Sequence, residues 1–141
     1  DMEYYLEPGV YYLRCDGDSS TQGDYRLKLF FAPCACDEAA GNDDYHGAQA
    51  LPSGKTLSGV LTQWDEFDYY SFTLPAEAQA YLTINSEADG QQYATLYDGD
   101  MVEIKTVYDL HGYAENLRLP AGTCYVSIRG AKGPYTLKAF Y

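Results

Sequence analysis

Two stretches of this chain occur twice. Residues 6–15 (LEPGVYYLRC) match residues 119–128 (LPAGTCYVSI), and a second match follows each, GDYRLKLF at 23–30 and GPYTLKAF at 133–140. A period of about 110 residues is one domain length, not the roughly 20–50 residues of a solenoid repeat. The chain therefore reads as the end of one module over residues 1–32, an acidic linker over 33–50, and a complete second module over 51–141. The matched stretches alternate apolar and polar residues, which is the period of a strand. The polar run DGDSSTQGD at 16–24 breaks the first pair. Together they predict a β-hairpin over residues 4–31, repeated near the C-terminus. A lone two-stranded hairpin is marginal in water, so the N-terminal one needs a sheet. Three placements are open: the second module, another copy of the chain in a strand-exchanged homodimer, or a separately supplied remainder of its own module.

The rest of the pattern is also all-β. Tyr70, Phe72 and Leu74 share one face of a predicted strand, with Tyr69, Ser71 and Thr73 on the other. Leu82 and Ile84 point inward in the next, and Asp98-Gly99-Asp100 signals a turn. Strands are expected at 56–62, 68–74, 80–85, 92–97, 101–108, 115–119, 124–129 and 134–141, with a short helical turn around Tyr45–Leu51. Short strands at this spacing with no long helix predict an antiparallel β-sandwich of about eight strands, jelly-roll-like, plus the N-terminal hairpin.

The chain carries 21 Asp and Glu against 9 Lys and Arg, for a net charge of −12, which excludes nucleic acid and anionic membrane surfaces as partners. No apolar run is long enough to insert in a membrane. Cys15, Cys34, Cys36 and Cys124 allow two disulfides in three connectivities. Cys34-x-Cys36 lacks zinc-ribbon spacing and only His46 and His111 are available beside it, so disulfides of an oxidising compartment are expected over zinc. The sequence has no G-x-S-x-G, H-E-x-x-H, Walker or G-x-G-x-x-G motif, and neither histidine has a nucleophile beside it in sequence. It does not read as an enzyme.

Two acidic segments offer hard oxygens of the kind Ca2+ requires: 37–44, with Asp37, Glu38, Asn42, Asp43 and Asp44, and 65–68, with Asp65, Glu66 and Asp68. The bland alternative is a solvated acidic loop. A second candidate surface is aromatic. If Cys124, Val126 and Ile128 point inward, Tyr125 and Ser127 point outward, and by the repeat so does Tyr12. Tyr69 and Tyr81 alternate outward in their own strands. Such a row suits stacking on sugar rings or gripping an extended peptide, and equally suits cross-strand pairs that only stabilise a sheet.

From residue 42 onward the sequence resembles the bacterial pre-peptidase C-terminal domain. The resemblance lies in Asn42-Asp43 with Ala48 and Leu51, and in Gly59 before Asp65-Glu66-Phe67-Asp68-Tyr69-Tyr70-Ser71-Phe72. It continues through Leu96-Tyr97-Asp98 and Leu119-Pro120-Ala121-Gly122-Thr123-Cys124-Tyr125-Val126 to Gly133-Pro134-Tyr135-Thr136-Leu137. The resemblance implies a non-catalytic β-sandwich. Some members, and the related collagen-binding domains of collagenases, bind Ca2+ between linker and loop. Carried over, the ligands are Glu38, Asn42 and Asp43 from the linker and Asp65 and Asp68 from the loop. A second linker glutamate would stand at Ala40, which is a departure.

The expectation is therefore an accessory module of a secreted or cell-surface bacterial protein. Its partners would be the other domains of its parent protein and an extracellular matrix protein or polysaccharide, with Ca2+ at the linker and Tyr12, Tyr69, Tyr81 and Tyr125 toward the ligand. The alternative is a purely structural tandem repeat with no ligand of its own.

Overall fold

A computed structural model describes residues 4, 6, 10–16, 23–30, 37–38 and 41–141. Among these residues the strands are β1 (Gln49–Ala50), β2 (Thr56–Leu61), β3 (Phe67–Leu74), β4 (Ala78–Ser86), β5 (Gln92–Tyr97), β6 (Glu103–Val107), β7 (Tyr113–Leu119), β8 (Gly122–Gly130) and β9 (Gly133–Phe140). They form a five-stranded sheet, β1-β3-β8-β5-β6, and a four-stranded sheet, β2-β9-β4-β7. All pairings are antiparallel except the short β1–β3 contact, which is parallel. The expected sandwich is present, with the two-residue β1 as a ninth strand. The helical turn is a single 3₁₀ turn at Tyr45–Gly47.

Alternation places the core. Tyr70, Phe72 and Leu74 of β3, Leu82 and Ile84 of β4, Cys124, Val126 and Ile128 of β8, and Tyr135, Leu137 and Ala139 of β9 are all buried between the sheets. Burying each large apolar side chain stabilises the fold by about 1.5–3 kcal/mol. The chain changes sheet at nearly every connection, and among the described residues only β5 and β6 pair as sequence neighbours. Their turn is closed by Asp98, whose Oδ1 accepts from the backbone N–H groups of Asp100 and Val102.

The repeated stretch corrects one expectation. β8 and β9 do not form a hairpin. β8 lies between β3 and β5, while β9 lies between β2 and β4 in the other sheet. The connection is an arch over the core edge, held by the buried Gln92, whose Nε2 donates to the carbonyls of Ala131 and Gly133 (both 3.0 Å). A strand with one apolar face alternates in the same way whether its neighbour in sequence sits beside it or across the core, so periodicity alone does not distinguish the two.

The N-terminal hairpin expected over 4–31 includes positions 5, 7–9, 17–22 and 31, which lie outside the described residues. Residues 10–16 and 23–30 are in no strand, and Val10, Tyr12, Leu13, Tyr25, Leu27, Leu29 and Phe30 are exposed. The thiols of Cys15 and Cys124 are free, so neither enters the expected disulfides. Cys124 instead fills the core as a small apolar side chain. Cys34 and Cys36 lie outside the described residues.

Candidate metal centre

The linker reaches the sandwich along the open edge of β2. Asp37 N–H donates to the Ser58 carbonyl (2.8 Å), and Val60 N–H donates to the Glu38 carboxylate (2.8 Å). Further on, Tyr69 N–H donates to the Asn42 carbonyl (2.7 Å), which ties the linker to β3. The loop between β2 and β3 carries Asp65. Asp68 follows within β3 and shares the inward parity of Tyr70 and Phe72, so strand geometry forces a carboxylate into the interior.

Glu38, Asp65 and Asp68 converge, with one carboxylate oxygen of each lying within 4.8 Å of the others. Asp65 and Asp68 are buried, and the Oδ1 of each has no hydrogen-bond partner. The other oxygen of Asp68 accepts from the Tyr135 hydroxyl (2.5 Å), which is bonded in turn to the Tyr70 hydroxyl (2.7 Å). Burial is the main force raising the Asp68 pKa, followed by the neighbouring Glu38 carboxylate. Asp65 is pushed to about 6, mainly by burial, then by the charges of Glu38 and Asp43. Carboxylates crowded out of water either take up protons or share a cation. An all-oxygen set with orphaned lone pairs fits a hard divalent ion such as Ca2+, and the group contains none of the His or Cys ligands zinc favours.

The sequence-predicted ligands therefore divide. Glu38, Asp65 and Asp68 come together. Asn42 is buried, with its backbone carbonyl accepting from Tyr69 N–H of β3. Asp43 is exposed and outside the carboxylate group, although its charge still reaches Asp65. Ala40 lies outside the described residues. Asp44 caps the 3₁₀ turn by accepting from His46 N–H (2.7 Å) and Gly47 N–H (3.2 Å), and those bonds hold its pKa down. Sequence reasoning missed Tyr70, Tyr135 and Gly59. A Cβ on Gly59 would sit 2.3 Å from the Tyr135 hydroxyl and 2.7 Å from that of Tyr70. The available signal was two tyrosines in inward rows of aliphatic residues, since a buried phenol needs a partner for its hydroxyl.

The four candidate ligand tyrosines do not form one row. Tyr69 and Tyr125 lie on the outer face of the five-stranded sheet. There Tyr69 pairs with Ser127 and then Thr95, and Tyr125 pairs with Tyr97. Phe67 and Tyr93 flank Arg129 on the same face. Tyr81 is on the outer face of the other sheet, 6.4 Å from Phe140, and Tyr12 is in the N-terminal segment. Ser127 points outward as expected but is buried, because β8 is the central strand and its neighbours close over it. Each histidine sits beside a carboxylate two residues away in an exposed turn, His46 by Asp44 and His111 by Asp109.

No family model and no curated protein matches the sequence. Solved structures do match. The pre-peptidase C-terminal domain of a collagenase from Bacillus anthracis superposes with a TM-score of 0.57 at 17% identity, covering 65% of this chain and 93% of that domain. PliG of Aeromonas hydrophila, a periplasmic inhibitor of g-type lysozyme, superposes with a TM-score of 0.50 at 15% identity, covering 66% of this chain and 96% of PliG. By the superposition on the collagenase domain, which covers nearly all of that domain, the two-sheet sandwich of this chain has the fold of the pre-peptidase C-terminal domain.

Proposed function

We propose that the chain is a non-catalytic accessory module of a larger secreted or cell-surface protein, clasped by a Ca2+ ion between its linker and its β2–β3 loop. The observation that carries this reading is the meeting of Glu38, Asp65 and Asp68 within 4.8 Å, with two buried carboxylate oxygens left without a hydrogen bond. Asn42 and Asp43 add oxygens on the linker side. The ion would fix the linker against β2 and β3 and so set how the module is held relative to whatever precedes it. A role outside the cytoplasm is supported by the neighbours, one a domain of a collagenase and the other a periplasmic inhibitor. Melting the chain in EDTA and in Ca2+ tests the clasp. The midpoint is expected to rise with Ca2+, and identical melts would refute it.

The outer face of the five-stranded sheet is the surface for an extracellular protein or polysaccharide. Tyr69, Tyr93, Tyr97 and Tyr125 stand half-exposed around a floor of buried Ser127 and Thr95. Flat rings around a small-residue floor suit stacking on an extended polymer. Retention on insoluble collagen and on an insoluble neutral polysaccharide is the check. Replacing Tyr69 and Tyr125 by Ser is expected to weaken retention on the polymer that binds, by about 1 kcal/mol or roughly fivefold per ring, with the melting midpoint nearly unchanged. A chain retained by neither polymer would be a structural spacer.

A further inference from the structure

We propose that residues 10–15 and 24–30 belong to the last two strands of a second sandwich of this same fold, one entering each of its sheets, and that this second sandwich is not another copy of the present chain. The sequence match supplies the register. Gly9 aligns with Gly122 and Gly23 with Gly133. Tyr11, Leu13 and Cys15 therefore take the places of Cys124, Val126 and Ile128 of β8, while Tyr25, Leu27 and Leu29 take those of Tyr135, Leu137 and Ala139 of β9. All six of those β8 and β9 residues are buried in the core. In the N-terminal segment the aligned Tyr11, Leu13, Tyr25, Leu27 and Leu29 are exposed, with Tyr11 lying over Trp64 at 5.9 Å. An apolar row of this kind is covered only inside a core.

The places of β8 and β9 indicate what would cover it. β8 and β9 are inner strands, each with a neighbour on both sides. A segment with their pattern is completed by a sandwich that lacks its final two strands, and not by the edge of a finished sheet. Side-chain size then selects among such sandwiches. Tyr11 replaces Cys124 and Leu29 replaces Ala139, both at 0% exposure. Inserting those larger groups at these fully packed positions would overfill this core. The connecting stretch differs as well, residues 16–22 against 129–132. The partner is therefore a sister sandwich with room opposite Tyr11 and Leu29. It also needs a buried acceptor for the Tyr25 hydroxyl, as Asp68 serves Tyr135 here. None of this depends on the metal reading.

A transplant within the full chain tests the proposal. Residues 119–141 are replaced by a copy of 6–31, once unchanged and once with Tyr11→Cys, Cys15→Ile and Leu29→Ala made in the transplanted copy. The adjusted transplant is expected to melt cooperatively within about 10 °C of the parent, and the unchanged one to lose its cooperative transition. An adjusted transplant with no cooperative transition would overturn the strand assignment. An unchanged transplant as stable as the parent would overturn the exclusion of a second copy. Sedimentation equilibrium of the unaltered chain supplies an independent reading. A monomer is expected, and a dimer whose exchanged 6–30 segments are protected from hydrogen exchange would overturn the proposal.

Discussion

Asp68→Asn is expected to abolish the response of the fold to Ca2+ while leaving the metal-free protein standing. Without an ion, burial and the neighbouring Glu38 keep the Asp68 carboxyl protonated, and Asn is close to its neutral shape. The amide oxygen can still accept from Tyr135. In EDTA the variant should melt within a few degrees of the parent. In Ca2+ at a hundredfold excess over its dissociation constant, the parent should gain about 2.7 kcal/mol, on the order of 10 °C for a domain of this size, and the variant nothing. Circular dichroism melts check both arms. A Ca2+ shift that survives in Asp68→Asn would place the ion elsewhere.

The same carboxylates fix the pH dependence. Asp65 is raised to about 6 in the folded state and Asp68 further still. A carboxyl with a raised folded pKa contributes stability that is full below its unfolded value, near ~4, and is lost as pH rises through the folded value. The metal-free protein should therefore weaken from about pH 4 through 6 as Asp65 ionises, and continue to weaken above that through Asp68. Ca2+ holds both groups ionised, so its stabilising increment should grow over the same window. A metal-free midpoint that stays level from pH 5 to 8 would contradict the crowding of these groups.

Gly59→Ala is expected to damage the fold and the carboxylate cluster together. The new methyl would meet the Tyr135 hydroxyl at 2.3 Å, the Tyr135 ring at 2.5 Å and the Tyr70 hydroxyl at 2.7 Å. Both rings are fully buried and cannot swing away. Overfilling a packed core costs about 1–3 kcal/mol, and breaking the hydroxyl chain adds about 1–3 kcal/mol for the unsatisfied groups. Urea denaturation should show a loss of about 3 kcal/mol. Ca2+ should also stabilise the variant less, because Tyr135 no longer orients Asp68. A loss below about 0.5 kcal/mol, the usual range for surface substitutions, would show that the pair relaxes freely.

Periodicity made the strands readable. Runs such as DYYSFTL and AYLTIN alternate strictly because one face of each meets a core and the other does not. Alternation reports in or out but not which sheet, and the errors follow from that. Tyr69 and Tyr125 share a face while Tyr81 has the same outward parity on the opposite sheet. β8 and β9 read as a hairpin although they face each other across the core. The carboxylate cluster was legible as acidic spacing, with Asp65 and Asp68 three apart and Glu38 upstream. Its support was not legible, because Gly59, Tyr70 and Tyr135 meet only through long-range pairing of β2, β3 and β9. Asp44 offers an oxygen in the sequence, and in the fold that oxygen is taken up in capping a turn.

Calorimetric titration of the EDTA-stripped chain with Ca2+ at neutral pH tests the central claim most directly. One ion per chain should bind, with heat that changes between buffers of different ionisation enthalpy because a proton leaves Asp68 as the ion enters. The heat should vanish in Asp68→Asn. No binding at millimolar Ca2+, or binding that Asp68→Asn leaves intact, would contradict it.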